Sequence, residues 1–487
     1  MSTIKHKIIA ATKWSAFSEV VARAASPVIF ILLARLLTPE DYGVAALATI
    51  VISFAQVVGE AGMGKALVQR ETDIEAASNV VFWLNLGIGC VLYAIIYAFA
   101  PLFAASFGDP RVTLILQVQG LQIITTCLYT VPLALSQRTL DFKTLFWVRF
   151  ITIGISGVTS IALALAGFSY WSLVISALVS SILQCIVLWY LTAWRPTLRF
   201  EKDVARSVFR FGRWILGEGL LGWFYLWADS IVIGYFLSSH DLGLYRTGSL
   251  FVSTAYTIIF SPVMTVLFSG LSRMQNDASL FKRYFVYCNK LTILIALPIA
   301  VTFFCVPDLF AAVLFGDKWQ GIGMVIMVTG LAQGLSWTIN SNAEAFRAIG
   351  RADLSSKIMG AGFLYYLPAY IISSMNGLDA FLWTRLGLVC VTLPIYYVVT
   401  RRVLHVGLRQ YFGDIKYLIL GAVAMGVTTW VVLHYQPVLS VRLLNYLVAA
   451  AAGGAVYLLF LIPYKGFITS TILSFTRKEK LAEVPGE

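Results

Sequence analysis

Ionisable and hydrogen-bonding side chains recur at helical spacing inside segments that are otherwise apolar. Glu19, Arg23 and Ser26 form one such stripe, and Thr49, Ser53, Gln56 and Glu60 a second. A third holds Glu218, Gly222, Tyr225 and Asp229, and a fourth Arg246, Ser249, Ser253 and Tyr256. The fifth is Gln333, Trp337, Asn340 and Glu344. Residues three and four apart share a helix face, so each stripe is a polar line on an apolar helix. Charge in hydrocarbon is costly and usually faces a cavity or another charge. Arg23, Arg246 and Arg385 suit an anionic ligand, whereas Glu19, Glu60, Glu218, Asp229 and Glu344 suit a proton or a coupling cation.

Blander roles stay open for the same residues. Glu19 and Arg23 are four apart and can neutralise one another. Glu60 and Glu344 fall near one end of their segments, and Arg35 and Arg246 near the other, where long side chains reach headgroup water. Serine and threonine stripes also serve helix packing. As a set, the stripes predict a polar central cavity lined by the first two helices of each half of the chain.

The elements that must hold these stripes are transmembrane helices. Of 487 residues, 59% are hydrophobic and 12% charged, with a mean hydropathy of +0.81; soluble chains carry about 25% charged residues. A helix needs about 20 residues to cross the hydrocarbon. That ruler gives fourteen spans: 11–37, 42–63, 79–101, 112–136, 145–166, 170–193, 213–237, 244–270, 288–315, 322–346, 354–375, 379–402, 414–435 and 442–464. Turn chemistry marks many of the connections, as in TPEDYG at 38–43, FGDP at 107–110, SSHDLG at 238–243 and NGLD at 376–379.

The net charge of +12 follows from sidedness rather than from nucleic acid. With the N-terminus inside, 29 of the 36 Lys and Arg fall on the inner side. Three (Arg111, Lys318, Arg442) fall in outer loops, and four (Arg23, Arg35, Arg246, Arg385) within spans. This asymmetry follows the positive-inside rule and places both termini in the cytoplasm. The basic N-terminus runs into a span holding Glu19 and Arg23, unlike a cleavable signal peptide.

A shift of 200 residues superposes two halves. Lys13-Trp14 falls on Arg213-Trp214, and LTPEDYGV (37–44) on LSSHDLGL (237–244). The expected fold is an all-α polytopic membrane protein of about fourteen helices. Residues 1–193 form an N-lobe, 194–212 a cytoplasmic connector and 213–402 a C-lobe. Residues 403–487 add two further helices and a tail. Six spans per lobe make the repeat parallel, with a substrate site between lobes near the bilayer midplane. The connector RPTLRFEKDVARSVFRFGR (195–213) reads as a solvated basic linker, with an interfacial helix on anionic lipid as the alternative.

Catalytic signatures are missing. The sequence holds no Walker A, HExxH or GxSxG motif. Its four histidines are scattered, and its six cysteines show no CxxC spacing and read as small apolar residues. No enzyme activity, cofactor, metal or nucleic-acid partner is expected.

The hairpin LARLLTPEDYGVAALATIV (33–51), with GMGKALVQR (62–70) and LSQRTLDFKTL (135–145), resembles the Wzx-type polysaccharide exporters. The resemblance is to the branch that includes the colanic acid and teichuronic acid translocases, within the multidrug/oligosaccharidyl-lipid/polysaccharide superfamily, and runs to about residue 402. It implies a flippase of the bacterial cytoplasmic (inner) membrane, working by alternating access in exopolysaccharide or lipopolysaccharide biosynthesis. The implied substrate is an undecaprenyl-pyrophosphate-linked oligosaccharide, and the implied partners are membrane lipids and the polysaccharide polymerase machinery. Such flippases receive the pyrophosphate-sugar head in a cationic cavity. Arg23, Arg246 and Arg385 fit that role, with Trp223, Tyr225 and Trp227 as sugar-stacking surfaces. The carboxylates nearby make this cavity mixed in charge, which keeps a multidrug-type cation antiporter of the same superfamily as the alternative.

Overall fold

The computed structural model describes Trp14 and residues 25–199, 201–435, 442–467 and 469. Every regular element among them is helical. In chain order these are α1 (Ala25–Leu36), α2 (Pro39–Glu60), α3 (Met63–Gln69), α4 (Ile74–Ser106), α5 (Arg111–Gln119) and α6 (Leu121–Arg138). They continue with α7 (Phe142–Leu165), α8 (Trp171–Leu191), α9 (Lys202–Phe236), α10 (Ser239–Arg273) and α11 (Ala278–Cys305). After the short α12 (Pro307–Phe310) come α13 (Ile322–Ala348), α14 (Ala352–Ser374), α15 (Leu378–Leu404), α16 (Leu408–Tyr435) and α17 (Arg442–Phe460).

Twelve stretches among the described residues are long and apolar enough to cross a membrane. The chain is therefore a multi-pass membrane protein, while the figure of fourteen spans is not reached by that criterion. About half of the first expected span, 11–37, lies outside the described residues. Helix α14, at 23 residues, opens on Asp353 and Lys357, whose side chains pair at 2.9 Å.

Local chemistry sets the boundaries. Thr38 accepts from the Asp41 amide and Asp41 accepts from the Thr38 amide, a capping box that starts α2 with Pro39 in its first turn. Ser238 and Asp241 make the same reciprocal bonds at the start of α10. Asp277 caps α11 through the amides of Leu280 and Ser279. These bonds, with one from the Ser279 hydroxyl, hold its carboxyl below the ordinary aspartate range. Helix α2 stops where Ala61 and Gly62 both take left-handed backbone (φ 39 and 68), and α3 begins directly after them.

The chain divides into two compact units, Met1–Arg246 and Thr247–Glu487. In the first, Val80, Val81 and Phe82 of α4 pack against Val131 and Ala134 of α6, Met63 and Leu67 of α3, and Val204 and Val208 of α9. The connector between α8 and α9 is pinned here. Asn79 accepts from the Thr197 amide at 2.7 Å, and the Trp83 indole donates to the Thr197 carbonyl at 2.9 Å. Helix α9 begins at Lys202, ahead of the span expected from 213, and runs 35 residues without a break.

In the second unit α11 and α13 approach closely at glycines. A Cβ at Gly330 would meet Phe303, and one at Gly334 would meet Ala300, each at 2.4 Å. Four buried uncharged polar residues link three helices: Ser341 donates to Asn289 at 2.7 Å and Thr400 to Asn342 at 3.0 Å. An apolar cavity of about 740 Å³ opens among α11, α13, α15 and α16. Leu297, Val301, Phe304, Val423 and Trp430 line it, with Thr338 and Tyr397 contributing the few polar atoms.

Candidate functional site

Within the first unit the starts of α2 and α10 cross in backbone contact. A Cβ at Gly43 would lie 1.7 Å from the Ser239 carbonyl oxygen, and one at Gly243 would lie 1.7 Å from the Pro39 carbonyl oxygen. Only glycine permits such an approach. Side chains clasp the crossing from both flanks. Asp109, in the turn between α4 and α5, accepts from the Ser239 hydroxyl at 2.7 Å and pairs with Arg111 at 2.8 Å. Ser169 donates to Asp41. Burial pushes the Asp109 carboxyl up, but the hydrogen bonds from Arg111 and Ser239 outweigh it and leave it below the ordinary range.

One turn beyond Gly243 on α10, at Arg246, sits a charged aromatic cluster shared with α9. The Arg246 guanidinium carbon lies 4.0 Å from the centroid of the Trp227 ring, a close cation–π contact. Asp229 accepts from the Tyr245 hydroxyl and from the Ser230 amide and hydroxyl. Trp223 donates to Ser53 at 2.9 Å and packs on Phe54 of α2. Trp223 and Trp227 form a buried cluster with Ile50, whereas Tyr225 is 63% exposed. The arrangement holds a planar guanidinium against an indole face beside an oriented carboxylate.

Of the residues expected to form the site, the structure thus brings together Trp223, Trp227, Asp229 and Arg246, with Ser53 of the second stripe. Glu60 ends α2 at its break, one turn from Gln56, whose amide reaches Thr126 at 3.5 Å. Glu218 is exposed on α9. In the second unit Glu344 pairs with Arg347 at 3.0 Å. Arg385 is half-buried on α15, two turns from Thr392. Glu19 and Arg23 lie outside the described residues.

Some polar constellations escaped the stripe pattern. Asp109, Arg111 and Ser239 come from two separate turns, and only the DPR string at 109–111 hints at them. Tyr365 and Tyr366 of α14 bond the Thr392 hydroxyl of α15 at 3.0 and 2.8 Å. Aromatic residues inside a span carry no periodic signal of such a bond. Among the described residues no group of three or more His, Cys, Asp or Glu is placed to hold a metal ion.

A bundle of long apolar helices, in which α2 and α10 meet at paired glycines and the half-buried Arg246 lies against an indole face, defines a polytopic membrane protein. Residues 32–324 match the family described as "Polysaccharide biosynthesis protein", and the chain belongs to that family. It is 25% identical over 470 residues to the teichuronic acid biosynthesis protein TuaB of Bacillus subtilis, covering 95% of this chain and 96% of that one. Against the succinoglycan biosynthesis transport protein ExoT of Rhizobium meliloti it is 24% identical, covering 97% and 96%. Against the lipopolysaccharide biosynthesis protein WzxC of Escherichia coli it is 22% identical, covering 84% of each chain. Its fold is similar to that of the lipid II flippase MurJ in an inward closed conformation, with a TM-score of 0.70 at 14% identity over 94% of this chain and all of that one. An inward-facing multidrug resistance transporter of the MATE family gives 0.57 at 14% identity over 78% and 94%.

Proposed function

We propose that this protein is a flippase for lipid-linked oligosaccharide repeat units, carrying them across the bacterial cytoplasmic membrane by alternating access. The observation that carries the reading is the similarity along nearly the whole chain to relatives named for the synthesis of teichuronic acid, succinoglycan and lipopolysaccharide. The substrate head is an oligosaccharide on undecaprenyl pyrophosphate, and no covalent bond is made or broken. Both termini lie in the cytoplasm, which puts the Gly43–Gly243 crossing at the outer face.

Each part of the substrate has a matching environment in this reading. Arg246 offers a five-donor planar fork to diphosphate oxygens, and Trp227 fixes its plane. Exposed Tyr225 offers a sugar-stacking face. The apolar cavity of the second unit accepts polyprenyl chain, for which its near absence of polar atoms is suited. Asp229 and Glu60 are the carboxylates proposed for ion coupling. Deleting the gene and identifying the lipid-linked saccharide that accumulates tests the proposal. Accumulation of a complete repeat unit on its lipid carrier supports it, and an unchanged lipid-linked pool contradicts it.

A further inference from the structure

The first three turns of α9 lie outside any membrane-crossing need. Thirty-five residues make a helix of about 52 Å, against about 30 Å of hydrocarbon. Counting back from Phe236, the hydrocarbon is exhausted near position 217. Trp214 and Arg213 then stand at its edge, with Arg210, Phe209, Arg206 and Lys202 in and beyond the headgroup layer.

This foot has two opposed faces. At 100° per residue, Val204, Val208 and Gly212 fall within an arc of about 80°. All three are buried in the first unit, where a Cβ at Gly212 would lie 2.5 Å from the Ala61 carbonyl oxygen. Across the helix, Lys202, Arg206, Phe209, Arg210 and Arg213 fall within an arc of about 100°. All five are exposed, and Arg213 lies 5.5 Å from the ring of Trp214. Phe209 is 60% exposed and Trp214 74%. A helix foot solvated by water alone has no reason to present these rings among its arginines. A cationic stripe interleaved with aromatics is the composition that engages the boundary of an anionic leaflet.

We propose that this stripe is a docking surface for anionic phospholipid headgroups, which hold the foot of α9 in place. The buried face transmits that restraint to the α2–α3 break. Gly212 touches Ala61 there, and a Cβ at Gly62 would meet Ile215 at 2.5 Å. The surface is independent of what the protein transports.

Native mass spectrometry of the full-length protein, exchanged into phosphatidylglycerol or phosphatidylcholine, reads it directly. The unsubstituted chain retains phosphatidylglycerol preferentially. Arg206→Gln/Arg210→Gln/Arg213→Gln lowers that preference at least tenfold. A control with the same charge loss, Lys357→Gln/Arg401→Gln/Arg402→Gln, keeps it. Equal loss in both variants, or no preference in the unsubstituted chain, overturns the proposal. A second probe needs no charge removal: Phe209→p-benzoylphenylalanine, illuminated in native membranes, crosslinks to phospholipid. Crosslinking to a protein instead makes the stripe a protein interface and overturns it. Neither readout involves transport, so failure here is distinct from failure of the flippase reading.

Discussion

Gly43 and Gly243 each occupy the space where the other's helix would place a side chain. Each would-be Cβ falls 1.7 Å from a carbonyl oxygen four residues before the partner glycine, that of Ser239 or Pro39. The two are separated by the 200 residues that superpose the two halves of the sequence, and each follows a matching capping box, Thr38–Asp41 or Ser238–Asp241. The contact is therefore reciprocal, and it locks the starts of α2 and α10 together.

Any side chain at either glycine forces the helices apart. Gly43→Ala and Gly243→Ala should each destabilise the purified protein by about 1–3 kcal/mol, the range for overpacking a tight contact. Gly360→Ala in α14, where nothing lies within 4 Å of the new Cβ, should be neutral or stabilise by up to about 1 kcal/mol through helix propensity. Thermal unfolding in one detergent compares all three.

The Asp109 clasp predicts a pH dependence of defined sign. Its carboxyl is held below the ordinary aspartate range by Arg111 and Ser239. The stability it contributes is therefore fully present above the unfolded-state value and lost as pH falls through the folded one. Asp109→Asn should cost about 1–2 kcal/mol at pH 7 by leaving Arg111 without its acceptor. That difference should shrink toward zero in strong acid. A constant difference from pH 7 to pH 3 in denaturation experiments would show that the charge plays no part.

Arg246 is predicted to act through its charge as well as its packing. Arg246→Gln should reduce polysaccharide export at least tenfold at normal protein level, and Arg246→Lys should retain part of it, since an ammonium keeps the charge but not the fork. Trp227→Phe keeps an aromatic face and should export near normally. Export assayed in cells matched for membrane protein level distinguishes these outcomes. Normal export by Arg246→Gln would confine the residue to a structural role.

Orientation is open to chemical labelling in a cysteine-free background. Cysteines replacing Asp241 or Lys318 should react with an impermeant reagent from outside intact cells. Those replacing Lys202, Lys282 or Arg351 should react only after permeabilisation. Labelling of position 202 from outside would reverse the proposed topology.

Much of this was legible in the sequence because bilayers constrain spans so strongly. Apolar length located most helices, and the offset of 200 aligned the two turns, LTPEDYGV and LSSHDLGL, whose glycines touch. The stripes found Asp229 and Arg246, since charge in an apolar helix stands out against its background. Their partners were less visible. Tyr245 and Trp227 are apolar-looking residues whose hydrogen bond and ring face matter only once α9 and α10 are packed. The Asp109–Ser239 bond joins turns 130 residues apart and leaves no local periodicity. The helix of α9 extends ahead of the span expected from 213, because arginines that end a hydrophobic span do not end a helix whose other face is buried.

The most direct test is translocation itself. The purified protein, reconstituted in liposomes with a fluorescent oligosaccharide on a polyprenyl diphosphate, should expose inner-leaflet probe to an impermeant quencher in a protein-dependent way. Fluorescence loss should then run well past the half expected for outer-leaflet probe alone. Loss that stops at that half, in vesicles where the same protein moves small organic cations, would contradict the flippase and favour an antiporter.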